Sequence, residues 1–427
     1  MPTQPVFWRR LPIVGLCEAH VDCVNRTAPV VSEPTPFKML RTTNVRNGYV
    51  DTENCRFVTE ETYKKWTRRL VPKRGDIILT REAPLGDVGK IRTDDTVFLG
   101  QRLYHFRPDP NKLDADFLLY SLLGDDLQSQ IRGYGSGSTV EHMRLEDIPC
   151  LEFNVPHLPV QKRIAGILSA YDELIENSQR RIKILEAMAR GLYREWFVHF
   201  RFPGHENHPR VASALGEIPE GWEVQKLGQV ATVLRGRSYR SVDLAVEGGL
   251  PFLNLKCLDR DGGFRRSGLK RYVGEYKDSH IARKGDIVMA VTDMTQERRI
   301  VARAALVPTL ASDFSIFSMD LVRIEPKADM PKTFLYSFLR FSSFADEVKQ
   351  HANGANVLHL SPDRISEYQF AVPPIGVVSK FAEFASPVIE QMNALENRIG
   401  NLRCTRDLLL PRLLSGQISV DTEEVIK

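Results

Sequence analysis

The sequence lacks the features of membrane and secreted proteins. It contains no apolar run of the roughly 18 residues that a membrane-spanning helix needs. Its first ten residues, MPTQPVFWRR, have no apolar core of the kind that a secretion signal carries. The six cysteines form no C-x-x-C pair and no regular framework, which is typical of reduced thiols. We therefore expect a cytoplasmic protein without disulfides or a zinc site.

Sequence signatures of catalysis are also missing. There is no glycine fingerprint after a strand, no P-loop and no Asn/Asp-Pro-Pro-aromatic tetrapeptide of amino-methyltransferases. Metal nucleases need acidic residues clustered with lysine, whereas the acidic residues of this chain are scattered. His199, His205 and His208 lie close together but have no carboxylate or cysteine at ligand spacing. We predict no catalytic, metal-binding or cofactor-binding residue in this chain.

Bulk composition is that of an ordinary globular protein. The chain has 427 residues, of which 42% are hydrophobic and 26% charged. This length suffices for two or three domains with real cores. The formal net charge of +4 permits nucleic-acid binding without requiring it.

One pattern occurs twice. Apolar residues recur at alternating steps of four and three, which predicts a long helix that packs on another helix. The first copy is Ile164, Leu168, Tyr171, Ile175, Ser178, Ile182, Leu185, Ala189, Leu192 and Trp196. The second, 217 positions later, is Phe381, Ala385, Val388, Met392, Leu395, Ile399, Leu402, Arg406, Leu409 and Leu413. Two copies at one offset indicate a duplicated unit.

The segments before the two helices repeat as well. FKMLRTTNVRNGYV (37–50) reads as a hairpin with its turn at Asn47-Gly48, and GLPFLNLKCLDRDGGF (249–264) repeats it. GDIILTREAPLG (75–86), a short buried strand and a loop, matches GDIVMAVTDMTQ (285–296). A single amphipathic helix predicted over 114–131 matches 333–350. The glycine-containing segments 133–148 and 353–365 match at the offset of 217, and their glycine loops read as tight turns.

The repeat predicts five segments. These are a first globular block at 1–156, a first long helix at 157–200, a linker without periodicity at 201–221, a second block at 222–373, and a second long helix with the C-terminal tail at 374–427. Pro411 cannot continue a helix without a break, so we expect the second helix to end or kink earlier than the first. The fold class is α+β, with two pseudo-symmetric α/β domains joined by two long antiparallel helices.

Paired helices of this length suit duplex DNA. Each seam spans about 50 Å, and a twofold reader of DNA touches half-sites about 34–36 Å or more apart. Two differing blocks would read two differing half-sites, which makes the site bipartite and asymmetric.

The order of these segments resembles the specificity subunit of type I restriction–modification enzymes. The resemblance covers nearly the whole chain. It includes the repeated GD-I strand, the GSGST (135–139) and NGAN (353–356) loops, the VPHLPVQKRI (155–164) and VPPIGVV (372–378) helix starts, GEIPEGW (216–222) and RLLSGQI (412–418). Arg406 and Pro411 interrupt the second seam, and the first block lacks a lead-in like GEIPEGW.

The resemblance implies a function and partners. In that family the two blocks are target-recognition domains, and the helices are a coiled-coil spacer that sets the unread gap and docks two methyltransferase (modification) subunits. Restriction subunits join for ATP-dependent translocation and cleavage. S-adenosylmethionine, ATP and Mg²⁺ would then belong to the partners, so this chain would be a non-catalytic, DNA-binding part of the complex.

Candidate DNA-contacting residues are polar and basic side chains on loops and hairpins, since such side chains reach base edges and phosphates. In the first block they are Arg41, Thr42, Thr43, Asn44, Arg46, Asn47, Thr80, Arg81, Gln101, Arg102 and Ser138. In the second block they are Asn254, Lys256, Arg260, Arg265, Arg266, Thr292, Thr295, Gln296 and Arg298.

One alternative stays open. Two helical seams support a coiled-coil protein scaffold without DNA specificity as well as they support a DNA ruler. A sequence preference in DNA binding by the assembled complex would separate the two.

Overall fold

The computed structural model describes residues 8–137, 141–327 and 329–420. The chain divides into two compact units. The first unit is Met1–Glu176 together with Gly400–Lys427, and the second is Asn177–Ile399. Both divisions fall inside a long helix, so these units differ in kind from the five predicted segments, whose limits stay a prediction. Among the described residues, no helix is long and apolar enough to cross a bilayer.

The first unit is built on a six-stranded sheet in the order β2-β10-β7-β8-β5-β4, beside a three-stranded sheet β6-β3-β9 and the pair β1-β11. Its strands are β1 Arg9–Pro12, β2 Cys17–Asp22, β3 Phe37–Leu40, β4 Val45–Arg46, β5 Gly48–Val50, β6 Arg56–Phe57, β7 Ile77–Arg81, β8 Leu85–Lys90, β9 Thr96–Leu99, β10 Leu103–Pro108 and β11 Glu152–Val155. Its helices are α1 Glu60–Trp66, α2 Ala115–Leu123, α3 Asp125–Gly133 and the start of α4 Leu158–Tyr193.

The second unit contains a four-stranded sheet β15-β24-β20-β22, a five-stranded sheet β16-β18-β17-β23-β19 and three strand pairs. Its strands are β12 Arg210–Ser213, β13 Gly216–Pro219, β14 Glu223–Lys226, β15 Ala231–Arg235, β16 Leu244–Ala245, β17 Leu250–Leu253, β18 Lys270–Tyr272, β19 Ile281–Arg283, β20 Ile287–Ala290, β21 Thr292–Asp293, β22 Ala304–Leu306, β23 Phe314–Phe317, β24 Leu321–Pro326, β25 Leu358–His359 and β26 Gln369–Val372. Its helices are α5 Leu227–Val230, α6 Lys332–Phe341, α7 Phe344–Val348, α8 Pro362–Ser366 and most of α9 Ile375–Leu414.

The two units repeat one topology. The order β2-β10-β7-β8 recurs as β15-β24-β20-β22, and the pair β1-β11 recurs as β14-β26. In each unit one parallel pair, β3-β9 or β17-β23, joins two segments distant in sequence. In each unit, short helices and then a long one follow. The predicted α+β class, with a duplicated α/β domain and two long antiparallel helices, is confirmed.

The recurring GD-I motif is a turn that starts a buried strand. Gly75 has a φ of 95°, a conformation that a side chain would disfavour. The carboxylate of Asp76 accepts a hydrogen bond from the backbone N–H of Lys73 at 2.8 Å. The backbone N–H of Gly75 donates to the carbonyl of Ile91, also at 2.8 Å. Glycine and aspartate are therefore both needed to enter β7.

The second unit builds the same turn before β20. Gly285 has a φ of 80°. Asp286 accepts from the N–H of Arg283 at 2.8 Å, and the N–H of Gly285 donates to the carbonyl of Val307 at 2.8 Å. The motif is thus repeated in the sequence because both turns need a glycine with positive φ and an aspartate that accepts a backbone hydrogen bond. It does not indicate a repeated ligand site.

In the first unit this aspartate also anchors a buried charge cluster. Asp76 is 1% exposed and accepts hydrogen bonds from His105 at 2.6 Å and from Arg107 at 2.7 and 2.9 Å. Burial alone would raise the pKa of Asp76, but the hydrogen bonds from Arg107 and His105 outweigh it and hold the pKa below its ordinary value. The cluster ties β7 to β10 from inside.

Within the first unit, the start of α4 packs against the end of α9. Ile164 and Leu168 join a core that also contains Leu413. Further along the seam, Arg406 donates a hydrogen bond to Asp172, which is 5% exposed. The helices therefore run antiparallel here, and Arg406 pairs with a buried carboxylate at the position where the apolar pattern is interrupted.

Within the second unit, the end of α4 packs against the start of α9. The rings of Trp196 and Phe381 lie 5.9 Å apart, and those of Tyr193 and Phe381 lie 6.2 Å apart. The predicted helical seam is thus present in each unit, and its residues are buried or half-buried throughout.

The linker predicted at 201–221 contains the antiparallel hairpin β12-β13, which the sequence did not predict. The alternation of β12, RVAS (210–213), is only four residues long and is surrounded by proline, glycine and histidine. The α-helical part of the preceding helix ends at Tyr193, and a π-helical turn, Arg194–Val198, follows it.

The second long helix does not end at Pro411, which we expected to end or kink it. α9 continues through Pro411 to Leu414 and has 40 residues, against 36 in α4. Proline removes one N–H, which leaves the carbonyl four residues earlier, at Asp407, without its helical partner. Asp407 is exposed, so water can satisfy that carbonyl at little cost.

The single helix predicted over 114–131 is two helices, α2 and α3, separated at Gly124. Gly124 adopts an extended conformation, with φ −76° and ψ 156°. A Cβ on this residue would lie 2.8 Å from Cδ1 of Leu414. The glycine therefore allows the end of α9 to approach the junction of α2 and α3 closely.

We expect Asp76→Ala to destabilise the first unit by about 3–5 kcal/mol, because it leaves the buried His105 and the half-buried Arg107 without their carboxylate. Hydrogen exchange of the β7 and β10 amides should rise accordingly. Since folding lowers the pKa of Asp76, its contribution is complete above the pKa of an unfolded aspartate, about 3.9, and is lost as the pH falls below it.

Asp94→Ala is the matched control. Asp94 pairs with Arg74 at 3.8 Å, but its side chain is 83% exposed. Its removal should leave exchange in β7 and β10 unchanged. Equal effects of the two substitutions would contradict a special role for the buried cluster.

Candidate nucleic-acid interface

Four loops of the first unit meet at one edge, which we call the loop edge. β3 and β9 run parallel and end together, where the N–H of Gly100 donates to the carbonyl of Leu40 at 2.8 Å. The end of β7 joins them, because the N–H of Arg81 donates to the carbonyl of Arg102 at 2.8 Å. The loop after α3 joins through the N–H of Met143, which donates to the carbonyl of Arg81 at 2.9 Å.

The second unit has the same loop edge. The N–H of Ser318 donates to the carbonyl of Leu253 at 2.8 Å, at the ends of the parallel strands β17 and β23. The N–H of Val291 donates to the backbone carbonyl of Asp320 at 2.9 Å, and the N–H of Leu360 donates to the carbonyl of Val291 at 2.8 Å. Main-chain hydrogen bonds thus place equivalent loops at equivalent positions in both units.

Main-chain hydrogen bonds join the two sides of each glycine-containing loop. His142 and Ser136 exchange two backbone hydrogen bonds, of 3.0 and 3.1 Å, and His359 and Asn353 exchange two of 2.9 and 3.0 Å. Gly354 has a φ of 149°, and a Cβ there would lie 1.9 Å from the carbonyl oxygen of Val357. Each loop is therefore closed by its own backbone.

In the first unit the predicted residues of two separate segments come together at the loop edge. Arg102 forms an ion pair with Glu82 at 2.8 Å and has a φ of 73°. The guanidinium of Arg81 donates to the carbonyl of Met143 at 2.9 Å. Gln101 accepts from the hydroxyl of Thr27 at 3.2 Å. Ser138, the remaining member of these clusters, lies outside the described residues.

The predicted segment 41–47 approaches the same loops from a neighbouring hairpin. β4 and β5 meet at a turn in which Asn47 has a φ of 50°, as the Asn-Gly pair predicted. Arg46 lies 3.8 Å from the carboxylate of Asp87, which follows the loop after β7. Arg41 is half-buried, and its guanidinium donates to the carbonyl of Asn54.

Four predicted residues are buried and use their polar groups inside the protein. In the first unit, Asn44 (3% exposed) donates to the carbonyl of Asn54, and Thr80 (fully buried) donates to that of Pro84. In the second unit, Asn254 (4% exposed) donates to the carbonyl of Gly268, and the hydroxyl of Thr292 (2% exposed) lies 3.3 Å from His359. These side chains stabilise the loops from within and do not face solvent.

The other predicted residues lie at or near the surface. The exposed ones are Thr43, Arg46, Asn47, Arg102, Lys256, Arg260, Arg265, Thr295 and Gln296, and the half-buried ones are Arg41, Thr42, Arg81, Gln101, Arg266 and Arg298. DNA contact by these residues stays a prediction.

Loop 292–298 of the second unit is held by its neighbours. The carboxylate of Asp293 accepts hydrogen bonds from the N–H and the hydroxyl of Thr295, at 2.8 and 2.9 Å. Gln296 donates to the carbonyl of Ala355 at 2.8 Å. Arg298, which has a φ of 53°, donates to the side chain of Gln350 at 3.1 Å. The loop after β20 therefore packs on the glycine-containing loop, as its counterpart does in the first unit.

Arg265 and Arg266, adjacent in sequence, have different surroundings. Arg265 is exposed, 3.9 Å from Asp259. Arg266 is half-buried and donates to the carbonyl of Thr309 at 2.8 Å and to the side-chain oxygen of Asn397 on α9. Burial lowers the pKa of its guanidinium. The geometry makes Arg266 a link between the second recognition domain and α9.

Sequence reasoning missed three residues at the loop edges. Arg237 follows β15, and its N–H donates to the carbonyl of Phe317 at 2.8 Å. His142 and His359 occupy equivalent positions beside the loops described above. The signal for the two histidines was present, because they fall on each other in the repeat at an offset of 217.

No set of three or more His, Cys, Asp or Glu side chains in the described part of the chain could hold a metal ion. Two of the histidines considered above make backbone contacts instead. The imidazole of His205 lies 2.8 Å from the carbonyl of Phe202, and that of His208 lies 2.8 Å from the carbonyl of Glu220.

We expect Arg266→Ala to destabilise the second unit by about 1–3 kcal/mol, because it leaves Asn397 and the carbonyl of Thr309 without a donor. Arg265→Ala, the adjacent control, should change stability by less than about 0.5 kcal/mol. Denaturant unfolding of the two variants tests this difference. A larger loss for Arg265→Ala would contradict the assigned roles.

Comparison with known proteins gives consistent matches. The family model described as the type I restriction modification DNA specificity domain matches residues 31–187 and 219–402. The chain is 26% identical over 376 residues to the type I restriction enzyme MjaIX specificity subunit of Methanocaldococcus jannaschii, covering 86% of this chain and 82% of that one. It is 20% identical to the HindI specificity subunit of Haemophilus influenzae, over 81% of this chain and 87% of that one.

A solved structure shares the fold. The crystal structure of a type I restriction–modification S subunit from M. genitalium aligns with a TM-score of 0.59 and 17% identity, covering 97% of each chain. Because the family model matches most of the chain in two stretches, one in each repeat, this protein belongs to the family of type I restriction–modification DNA specificity subunits.

Proposed function

We propose that each recognition domain reads one half of an asymmetric, bipartite duplex DNA site through its loop edge. One observation carries this proposal: the same main-chain hydrogen bonds build the loop edge in both units, while the side chains they present differ. Exposed polar side chains on rigidly held loops are suited to contact base edges in the major groove.

The side chains at matching positions differ in charge and hydrogen-bonding capacity. Where the first unit has Arg102, the second has Asp320, because the carbonyls of these two residues accept the equivalent main-chain hydrogen bond. Arginine pairs well with guanine, whereas a carboxylate accepts from the amino group of cytosine. Two surfaces of such different chemistry favour two different half-site sequences.

The specificity subunits of this family are non-catalytic and act together with other subunits of a restriction–modification system. For this chain we propose two methyltransferase (modification) subunits, which use S-adenosylmethionine, and restriction subunits, which use ATP and Mg²⁺. The complex would act on the host chromosome, and hence in the cytoplasm. Family membership disfavours a coiled-coil scaffold without DNA specificity.

Exchanging the second recognition domain, residues 222–373, for that of another family member should change one half-site and leave the other unchanged. Mapping of methylated positions in the genomic DNA of cells that express the assembled complex tests this. Exchange of the first domain is the reciprocal control. A change of both half-sites after either exchange would contradict independent reading by the two domains.

Adding one heptad to each long helix should lengthen the unread gap and preserve both half-sites. We place the insertions after Glu176 in α4 and after Ile399 in α9, because contacts within each unit then stay intact. Seven residues add about 10 Å of helix, close to three base pairs at about 3.4 Å each. Methylation mapping should report a gap longer by about three base pairs.

The same heptad inserted in the turn between Ser213 and Gly216 serves as the control, since this turn of the β12-β13 hairpin lies outside both helices. It should leave the gap unchanged. If the gap also stayed unchanged after the helical insertions, the helices would not act as a spacer.

A further inference from the structure

His142 and His359 occupy the same place in the two loop edges. The backbone of each exchanges two hydrogen bonds with the residue six positions earlier, Ser136 in one unit and Asn353 in the other. The next residue in each unit is a buried apolar side chain, Met143 or Leu360, which fixes the loop on the core. Two copies of one residue type therefore sit on matching backbones.

The imidazoles are not what holds these loops. The loops are closed by main-chain bonds, which any residue could make. Among the described residues, the His142 side chain has no hydrogen-bond partner and is half-buried. The His359 side chain is exposed, and its Nδ1 lies 3.3 Å from the hydroxyl of Thr292, which leaves Nε2 open to solvent. Stability of the loop does not explain the choice of histidine twice.

The neighbouring positions have diverged between the units. Near His142 lies the exposed Arg102, and the equivalent residue near His359 is Asp320. Side chains that read bases must differ when the half-sites differ. A residue that is the same in both units fits a feature that both half-sites share, and the sugar–phosphate backbone is that feature.

We propose that His142 and His359 each donate an imidazole N–H to a DNA phosphate, at equivalent positions of the two half-sites. This inference rests on the proposed function, since it assumes that the loop edges face DNA. An imidazole N–H can donate to a phosphate oxygen in either protonation state. The two histidines would position the domains on the duplex without reading its sequence.

The test uses the assembled complex and a duplex that carries the target sequence identified by methylation mapping. We expect His142→Ala and His359→Ala each to weaken binding by about threefold to tenfold, the loss of one hydrogen bond. Binding to a random duplex should weaken by the same factor, so the ratio of the two affinities is preserved. His142→Gln and His359→Gln should retain part of the affinity that the alanine variants lose, because the glutamine amide N–H can also donate to phosphate.

Phosphate ethylation interference locates the contact. Ethylation of one phosphate in one half-site should weaken DNA binding by the wild-type complex. The same ethylation should have no further effect on binding by the His142→Ala complex. The corresponding phosphate of the other half-site should behave in this way for His359→Ala. His157→Ala and His199→Ala, which remove exposed histidines away from the loop edges, are the matched controls and should leave affinity and interference unchanged.

The possible results separate this inference from the proposed function. A wild-type complex without preference for its target would overturn both. A complex with normal preference whose affinity is unaffected by both alanine substitutions would overturn the phosphate contact alone. So would a loss of discrimination at one base pair, because that result would make the histidine a base reader.

Discussion

The main-chain hydrogen bonds of the loop edges are the constraint on which the recognition surfaces depend. They join the ends of two parallel strands, the end of a third strand and a glycine-containing loop. Backbone groups carry no sequence information, so the bonds persist while the side chains above them change. Arg102 and Asp320 illustrate this: the carbonyl of each accepts the equivalent main-chain bond, yet one side chain is basic and the other acidic. The fold thereby separates the position of a reading side chain from its identity.

The seam between the long helices follows a different principle. Most of it is apolar, and burial of such surface is the main source of its stability. Its polar exception is specific. Asp172 accepts from Arg406 across the seam and from the hydroxyl of Tyr120 on α2 at 2.7 Å. A buried carboxylate with two donors tolerates few alternative registers, because any shift would leave a buried charge unpaired. The interruption in the apolar pattern therefore favours one alignment of α4 and α9 in the first unit.

Much of the fold was predictable because it repeats. Periodicity located both helices, and the duplicated Gly-Asp turn revealed the strands that follow it. The failures have local causes that a sequence does not display. Gly124 separates α2 from α3 in an extended conformation, and its missing side chain leaves room for Leu414, almost 300 positions later. Pro411 stays within a helix because the carbonyl it deprives of a partner is exposed. The β12-β13 hairpin is too short for its alternation to stand out from the loop residues around it.

The candidate site was harder to predict, and the reason is burial. Residue type alone does not separate a polar side chain that stabilises a loop from one that faces solvent, and both kinds favour the ends of strands. Asn44 and Asn254 were selected as possible readers, yet both are buried and donate to backbone carbonyls.

Comparison of the two units separates these classes better than composition does. Positions that support the loop keep their backbone geometry. Positions that face solvent are free to diverge. A residue that reaches the surface and is nevertheless the same in both units indicates a ligand common to both half-sites. His142 and His359 are exceptions of this third kind. A duplicated chain thus contains its own comparison, and the phosphate backbone of DNA, identical in every half-site, is the partner to which that comparison points.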